Sequence, residues 1–320
     1  MESNREGERV WVQTVKENIE KVLIGKGKVI DLVLTSLIAG GHVLLEDVPG
    51  TGKTMLAKSL AKSMDVSFGR IQFTPDLLPS DVTGLNYFNQ KEGEFQFRKG
   101  PVFAHMILAD EINRATPRTQ ASLLECMEER QVTVDGVTRK LEEPFFVIAT
   151  QNPLETTGTF PLPEAQLDRF FMKLSMGLPG EKEELAILQR FLEKQPYETL
   201  SAVCSGIDVI AAREAANQVY VHPHLLSYMV SLVQATREDK EILSGVSPRG
   251  SLALLHASQA YAWIHGREYV VPEDIKVVAV PVMAHRLVLS RGYGSALTGE
   301  KKIREILNRI TVPTEEWERK

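Results

Sequence analysis

Apolar residues recur along this chain in two rhythms, and the change from one to the other divides it. Over residues 11–38 they fall at helical spacing, broken at Leu23-Ile24-Gly25-Lys26-Gly27, which predicts two helices joined by a turn. Short continuous apolar runs follow at 42–46, 66–73, 105–109, 145–150 and 170–174, separated by helical patterns such as 119–129. Unbroken runs of that length suit strands buried on both faces. The expected fold class is therefore α/β, a doubly wound parallel sheet with helices on either side. Beyond Pro179 strands vanish, and amphipathic stretches at 181–194, 208–219, 224–236, 248–264, 272–289 and 301–310 predict a helical second domain. Leu178-Pro179-Gly180 carries turn chemistry and marks the expected boundary, 1–178 against 179–320.

Composition narrows the setting. A chain of 320 residues suits two cores, and its net charge of −5 gives no sign of a polyanion-binding surface, so nucleic acid is not a favoured partner. The two cysteines, Cys126 and Cys204, lack metal-ligand spacing and read as small core residues in a reducing compartment. No apolar run reaches the ~18 residues a membrane span needs. Membrane insertion is not expected, and the expected location is cytoplasmic. Of the seven histidines only His222 and His224 lie close together, and a helix start with surface histidines is favoured there over a metal site.

The strongest chemical signal is Asp47-Val48-Pro49-Gly50-Thr51-Gly52-Lys53-Thr54, placed between the apolar run at 42–46 and a helix-forming stretch that begins at Met55. A triphosphate needs backbone N–H groups in a concave turn, a helix N-terminus behind them and a cation for its terminal phosphates. Gly50 and Gly52 permit close approach, Lys53 reaches the β- and γ-phosphates, and the Thr54 hydroxyl binds Mg²⁺. Asp47 stands where this pattern wants glycine, and its carboxylate is expected to face away from the phosphates. A second apolar strand ends in Asp110 and Glu111, a pair suited to holding the Mg²⁺ water shell and polarising an attacking water, respectively. Asn152 ends a third strand at the carboxyl edge of the sheet, where its amide can orient that water or touch the γ-phosphate. Taken alone, the acidic pair could be a solvated strand end and the Asn152-Pro153 pair an ordinary turn.

These three motifs, in this order and spacing, resemble the AAA+ ATPases. Gly40-Gly41-His42-Val43-Leu44-Leu45-Glu46, Gln72-Phe73-Thr74-Pro75-Asp76-Leu77-Leu78-Pro79-Ser80-Asp81, Ala109-Asp110-Glu111-Ile112-Asn113-Arg114-Ala115 and Leu167-Asp168-Arg169-Phe170 narrow the resemblance to the MoxR-type branch. That resemblance implies ATP and Mg²⁺ as ligands, bound by Asp47, Val48, Gly50, Thr51, Gly52, Lys53, Thr54 and Met55, with Thr54 and Asp110 facing the metal. Glu111 and Asn152 match the catalytic and sensor 1 positions. Arg169 matches the arginine finger presented to a neighbouring subunit, and Arg249 the sensor 2 residue of the lid, serving either its own site or a neighbour's. From the residues alone, Arg169 could instead be paired with Asp168 or Glu164.

The same resemblance implies a ring of identical subunits, hexameric by analogy. It also implies a motor role in maturation of, or metal insertion into, a client protein, often one with a von Willebrand factor A domain. Residues 85–97 occupy the place of the helix-2 insert. Residues 131–139 alternate around Asp135-Gly136, read as a hairpin and match the pre-sensor 1 hairpin. Phe88, Phe95 and Phe97 either grip a partner or, as the spacing favours, pack inward. Three other readings stay open: a magnesium-chelatase-like motor subunit, a nucleic-acid motor and a nucleotide-gated scaffold with little hydrolysis.

Overall fold

A computed structural model describes residues 2–154, 158–193, 196–290 and 298–313, with side chains described from residue 9 onward except at 191 and 193. Two helices open the chain, α1 (Glu2–Val22) and α2 (Gly27–Ile38), and β1 (Val43–Glu46) then leads into α3 (Lys53–Ser63). β2 (Phe68–Gln72), α4 (Pro79–Thr83), a hairpin of β3 (Gly84–Asn89) and β4 (Glu94–Lys99), β5 (Met106–Asp110) and α5 (Pro117–Glu129) come next. A second hairpin, β6 (Gln131–Val134) and β7 (Val137–Lys140), precedes β8 (Phe146–Gln151), the single-turn α6 (Glu164–Leu167) and β9 (Met172–Leu174).

The central sheet is parallel throughout, in the order β2-β5-β8-β1-β9, with Leu45 opposite Thr150 and Leu174, and Gln72 opposite Asp110. Successive side chains on a strand point to opposite faces. Val43, Leu45, Met106, Leu108, Phe146 and Ile148 accordingly join a core with α1, α2 and α3, whereas Leu44, Ile107, Ala109, Val147 and Ala149 join a second core with α5. Both faces are dry, which is why these strands read as continuous apolar runs.

The remaining helices are α7 (Glu181–Glu193), α8 (Gly206–Asn217), α9 (Pro223–Glu238), α10 (Pro248–Ile264), α11 (Pro272–Met283) and α12 (Gly299–Arg309). Their buried side chains, among them Val209, Leu232, Leu254, Trp263, Val278 and Ile303, continue the core built on α1 and α2. Residue 194, the expected end of the first of these helices, lies outside the described residues.

Two expectations for this half are corrected. Strands do occur: β10 (Ile242–Ser244) pairs antiparallel with β11 (Val288–Leu289). The stretch 272–289 is not one helix either, because α11 carries Pro281 in its last turn, stops at Met283, and is followed by a 3-10 turn and then β11.

The two hairpins form one unit. The tip of β6–β7 places Asp135 and Gly136 at φ 50° and 78°, both left-handed, the pairing a tight two-residue turn requires. Asp135 accepts a hydrogen bond from the Asn86 amide (2.7 Å), and the Arg139 guanidinium lies 3.8 Å from the Phe97 ring centroid. Phe97 also packs edge-on against Phe103. The inward packing expected of all three phenylalanines is thus corrected for two of them. Phe88 and Phe95 are cross-strand partners in edge contact with each other, 52% and 73% exposed. They share a face with Phe97, but Phe103 and the second hairpin cover only the base of that face.

Candidate active site

At the carboxyl end of β1 the chain turns through Asp47–Gly52 into α3. Gly50 and Gly52 take φ of 84° and 92°, a region that L side chains rarely adopt. A Cβ on Gly52 would strike Leu23, whereas one on Gly50 would meet nothing within 4 Å, so the Gly50 side of the loop opens outward. Among the described residues the amides of Gly50, Thr51 and Gly52 find no backbone acceptor, and the first-turn amides of α3 have no intrahelical partner by construction. Lys53 Nζ is drawn over this cradle by the carbonyls of Asp47 (2.7 Å) and Val48 (3.4 Å). The loop therefore presents convergent N–H groups and an ammonium, a donor set that fits a polyphosphate.

The buried Asp47 carboxylate points the other way. It accepts hydrogen bonds from the Ser175 hydroxyl (2.9 Å) and from the amides of Met176 and Gly177, just past β9. This side chain fastens the loop to the segment that leads into α7.

Asp110 and Glu111 end β5 beside β8. The Thr150 hydroxyl donates to Asp110 Oδ1 (2.7 Å), and its oxygen accepts the Glu111 amide (2.9 Å), so one buried hydroxyl sets both residues. Arg70 Nη2 donates to Asp110 Oδ2 (2.8 Å), while the Gln72 amide donates to Glu111 Oε2 (2.9 Å) and Arg114 Nη1 lies 3.4 Å from the same atom. Glu111 itself sits at φ 56°, ψ 50°, a left-handed conformation uncommon outside glycine, which aims its side chain off the strand line. Asn152 is buried one residue past β8, its Oδ1 accepting the Leu154 amide (3.1 Å). A cavity of about 400 Å³ adjoins it, lined by Glu46, Asn113, Leu162 and Lys173 among others. The Thr54 hydroxyl has no hydrogen bond among the described residues, so it and the Asp110 carboxylate offer hard oxygen donors of the kind Mg²⁺ takes.

The two arginines lie elsewhere. Phe171, whose amide bonds to the His42 carbonyl, immediately precedes β9 at the amino edge of the sheet, and Arg169 is two residues before it. Arg249, in the first turn of α10, pairs with Glu128 (2.8 Å) in the last turn of α5, near the same edge. From His42 to Asp47 is about 16 Å of extended chain. The P-loop, Asp110, Glu111 and Asn152 are thus gathered at one edge, with Arg169 and Arg249 at the other. Among the described residues the Arg169 side chain has no ion pair, because its neighbour Asp168 is held by Arg286 Nε (2.7 Å) and the Ser247 hydroxyl (3.3 Å).

Comparison with known proteins agrees with this geometry. Residues 42–172 match the ATPase family associated with various cellular activities (AAA), and residues 234–309 match the AAA lid domain. Over 301 residues the chain is 39% identical to Chaperone MoxR1 of Mycobacterium tuberculosis, covering 91% of this chain and 78% of that protein. The chain belongs to the MoxR-type AAA+ ATPases. This MoxR-type ATPase is also 50% identical over 300 residues to the uncharacterized protein YeaC of Bacillus subtilis, covering 93% and 94% of the two chains. It superposes with a TM-score of 0.90 on the crystal structure of a provisionally named ATPase from Cytophaga hutchinsonii, 40% identical, covering 98% of each chain.

Several residues of the MoxR-type site were not read from the sequence. Arg70 and Gln72 lie in an edge strand whose alternation says nothing of what it faces, although Gln72 opens the Gln72–Asp81 text that carries the resemblance. Thr150 is one more residue at the end of an apolar run. Asp168 and Arg286 are 118 positions apart, and only the fold brings them together.

Proposed function

We propose that this MoxR-type ATPase hydrolyses ATP at sites shared between subunits of a ring, hexameric by family analogy, and uses the cycle to remodel a client protein. The observation that carries this reading is the separation of Arg169 and Arg249 from the P-loop by the height of the sheet. Neither arginine can serve its own chain's nucleotide, and a head-to-tail neighbour supplies both. Arg249 then acts in trans like Arg169.

In this reading the amides of Gly50–Met55, with Asp47 and Val48 shaping the turn, bind the phosphates. The Lys53 ammonium exchanges the carbonyls of Asp47 and Val48 for charged phosphate oxygens, a stronger partner. Thr54 and Asp110 would hold Mg²⁺, which when bound neutralises charge on the terminal phosphates. Glu111, oriented by Gln72 and Thr150, takes a proton from the attacking water, and Asn152 orients that water. Arg169 from the next subunit neutralises charge on the transferring phosphoryl group. The catalytic core spans residues 1–178 and the lid 179–320.

A protein client is supported by the chaperone designation of the Mycobacterium relative and by the exposed Phe88–Phe95 pair at the tip of the two-hairpin unit. A partner bearing a von Willebrand factor A domain follows from the family resemblance, and a cytoplasmic location from the two widely spaced cysteines, which suit a reducing compartment. Among the described residues no helix is long and apolar enough to cross a membrane.

The test is the ATPase rate per subunit against protein concentration with Mg²⁺, beside Glu111→Gln. A rate that climbs with concentration and disappears in Glu111→Gln is expected. A concentration-independent rate would rule out the shared site.

A further inference from the structure

Arg169 has no side-chain ion pair of its own among the described residues, yet the backbone on both sides of it is pinned by one buried residue. The Arg286 side chain is 2% exposed, and Nε donates to Asp168 Oδ1 (2.7 Å). Nη2 donates to the carbonyls of Asp168 (3.2 Å) and Phe170 (2.8 Å), and Nη1 to the carbonyls of Phe171 (3.3 Å) and Val282. His285 adds a ring contact to the Phe170 carbonyl (3.0 Å). The second oxygen of Asp168 takes the hydroxyl of Ser247, the residue that caps α10 two positions before Arg249. Arg286 and Ser247 both belong to the helical lid, so the segment carrying Arg169 is clamped between the lid and the sheet, to which the Phe171 amide ties it through the His42 carbonyl.

We infer that Asp168 and Arg286 are positioning residues that hold the Arg169 segment against the lid, so that the seating of the lid on the sheet helps set where the arginine finger is presented. The inference rests on the reading that Arg169 acts on the neighbouring subunit's ATP. The planar five-donor fork of arginine is what lets one side chain hold a carboxylate and three carbonyls of this segment at once, and a lysine has no such fork. A loss of the Asp168–Arg286 contact therefore loosens the Arg169 segment just before β9 and misplaces the guanidinium offered to the neighbour's γ-phosphate.

The experiment uses full-length Asp168→Asn, which is near-isosteric, and Arg286→Lys, which keeps the charge without the fork, with ATP affinity and turnover measured alone and mixed with Glu111→Gln subunits. Both variants are expected to bind ATP within about twofold of the parent yet turn over about tenfold or more slowly. Turnover should return on mixing, because a Glu111→Gln neighbour supplies an intact finger to an intact site. If Arg286→Lys does not fold, Asp168→Asn alone decides. Parental turnover in the variants, or a loss that mixing does not relieve, overturns the inference. Arg169→Ala is the control: parental turnover there would remove the finger reading, and the positioning role with it, whereas a slow Arg169→Ala beside fast Asp168→Asn would remove the positioning role alone.

Discussion

Thr150 shows how much one hydroxyl carries in this site. It is 1% exposed, donates to Asp110 and accepts from the Glu111 amide, so it sets both carboxylates with a single oxygen. Thr150→Val keeps the shape and removes both bonds. Stability should fall by about 1–2 kcal/mol, from a part-buried amide and carboxylate left short of partners. Turnover should fall about tenfold or more, through misplacement of Glu111. A parental kcat in Thr150→Val would show that neither carboxylate depends on it. His42 is the complementary case, a core residue with no part in the chemistry. Its Nδ1 accepts the Val147 amide (3.1 Å), and its Nε2 donates to the Met127 carbonyl (3.1 Å). Burial, with Arg130 and Arg213 adding to it, pushes its pKa down from 6.5 to about 4. Protonation is thus easier in the unfolded chain, and the stability His42 contributes is complete above pH 6.5 and drains away as pH falls toward 4. The loss amounts to about 3 kcal/mol. Urea midpoints followed from pH 7 to 4 should drop more steeply in the parent than in His42→Gln, and equal slopes would refute the assignment.

Elements were legible where a local rule dictates them. The Asp135-Gly136 turn could be read from the chain because few dipeptides accept two successive left-handed residues, and the inner sheet strands β1, β5 and β8 because a strand dry on both faces must be apolar throughout. The β10–β11 pair was not legible, since three residues facing two are too few to set up alternation. The outward turn of Phe88 and Phe95 was hidden for another reason. Period-two spacing tells which residues share a face, but the extent of the cover over that face depends on residues far along the chain. Because the cover stops short, replacing both phenylalanines by serine should lower the unfolding free energy measured in urea by no more than about 1 kcal/mol, the worth of the ring pair itself. A loss of several kcal/mol would mean that the pair belongs to the core after all.

At the scale of the whole molecule, the P-loop and its acidic partners were readable because each closes a strand, whereas their distance from Arg169 and Arg249 follows only from the sheet. Arg249 belongs to this scale, since its partner Glu128 lies on α5 and both side chains are partly exposed. Solvent leaves such a pair worth at most about 1 kcal/mol. Arg249→Ala should therefore keep its unfolding midpoint while turnover per subunit falls at least about a hundredfold under assembling conditions. Unchanged turnover would reduce Arg249 to a surface ion pair.

The Asp47 carboxylate joins the nucleotide loop to the strand end from which the lid departs, through Ser175, Met176 and Gly177. Linkage gives that tie a direction that can be reversed. If filling the loop shifts the lid, then holding the lid must change the grip of the loop by the same factor. A client that seized the lid would thereby set how long spent nucleotide stays bound, and release of ADP would become the step at which such a client times the motor.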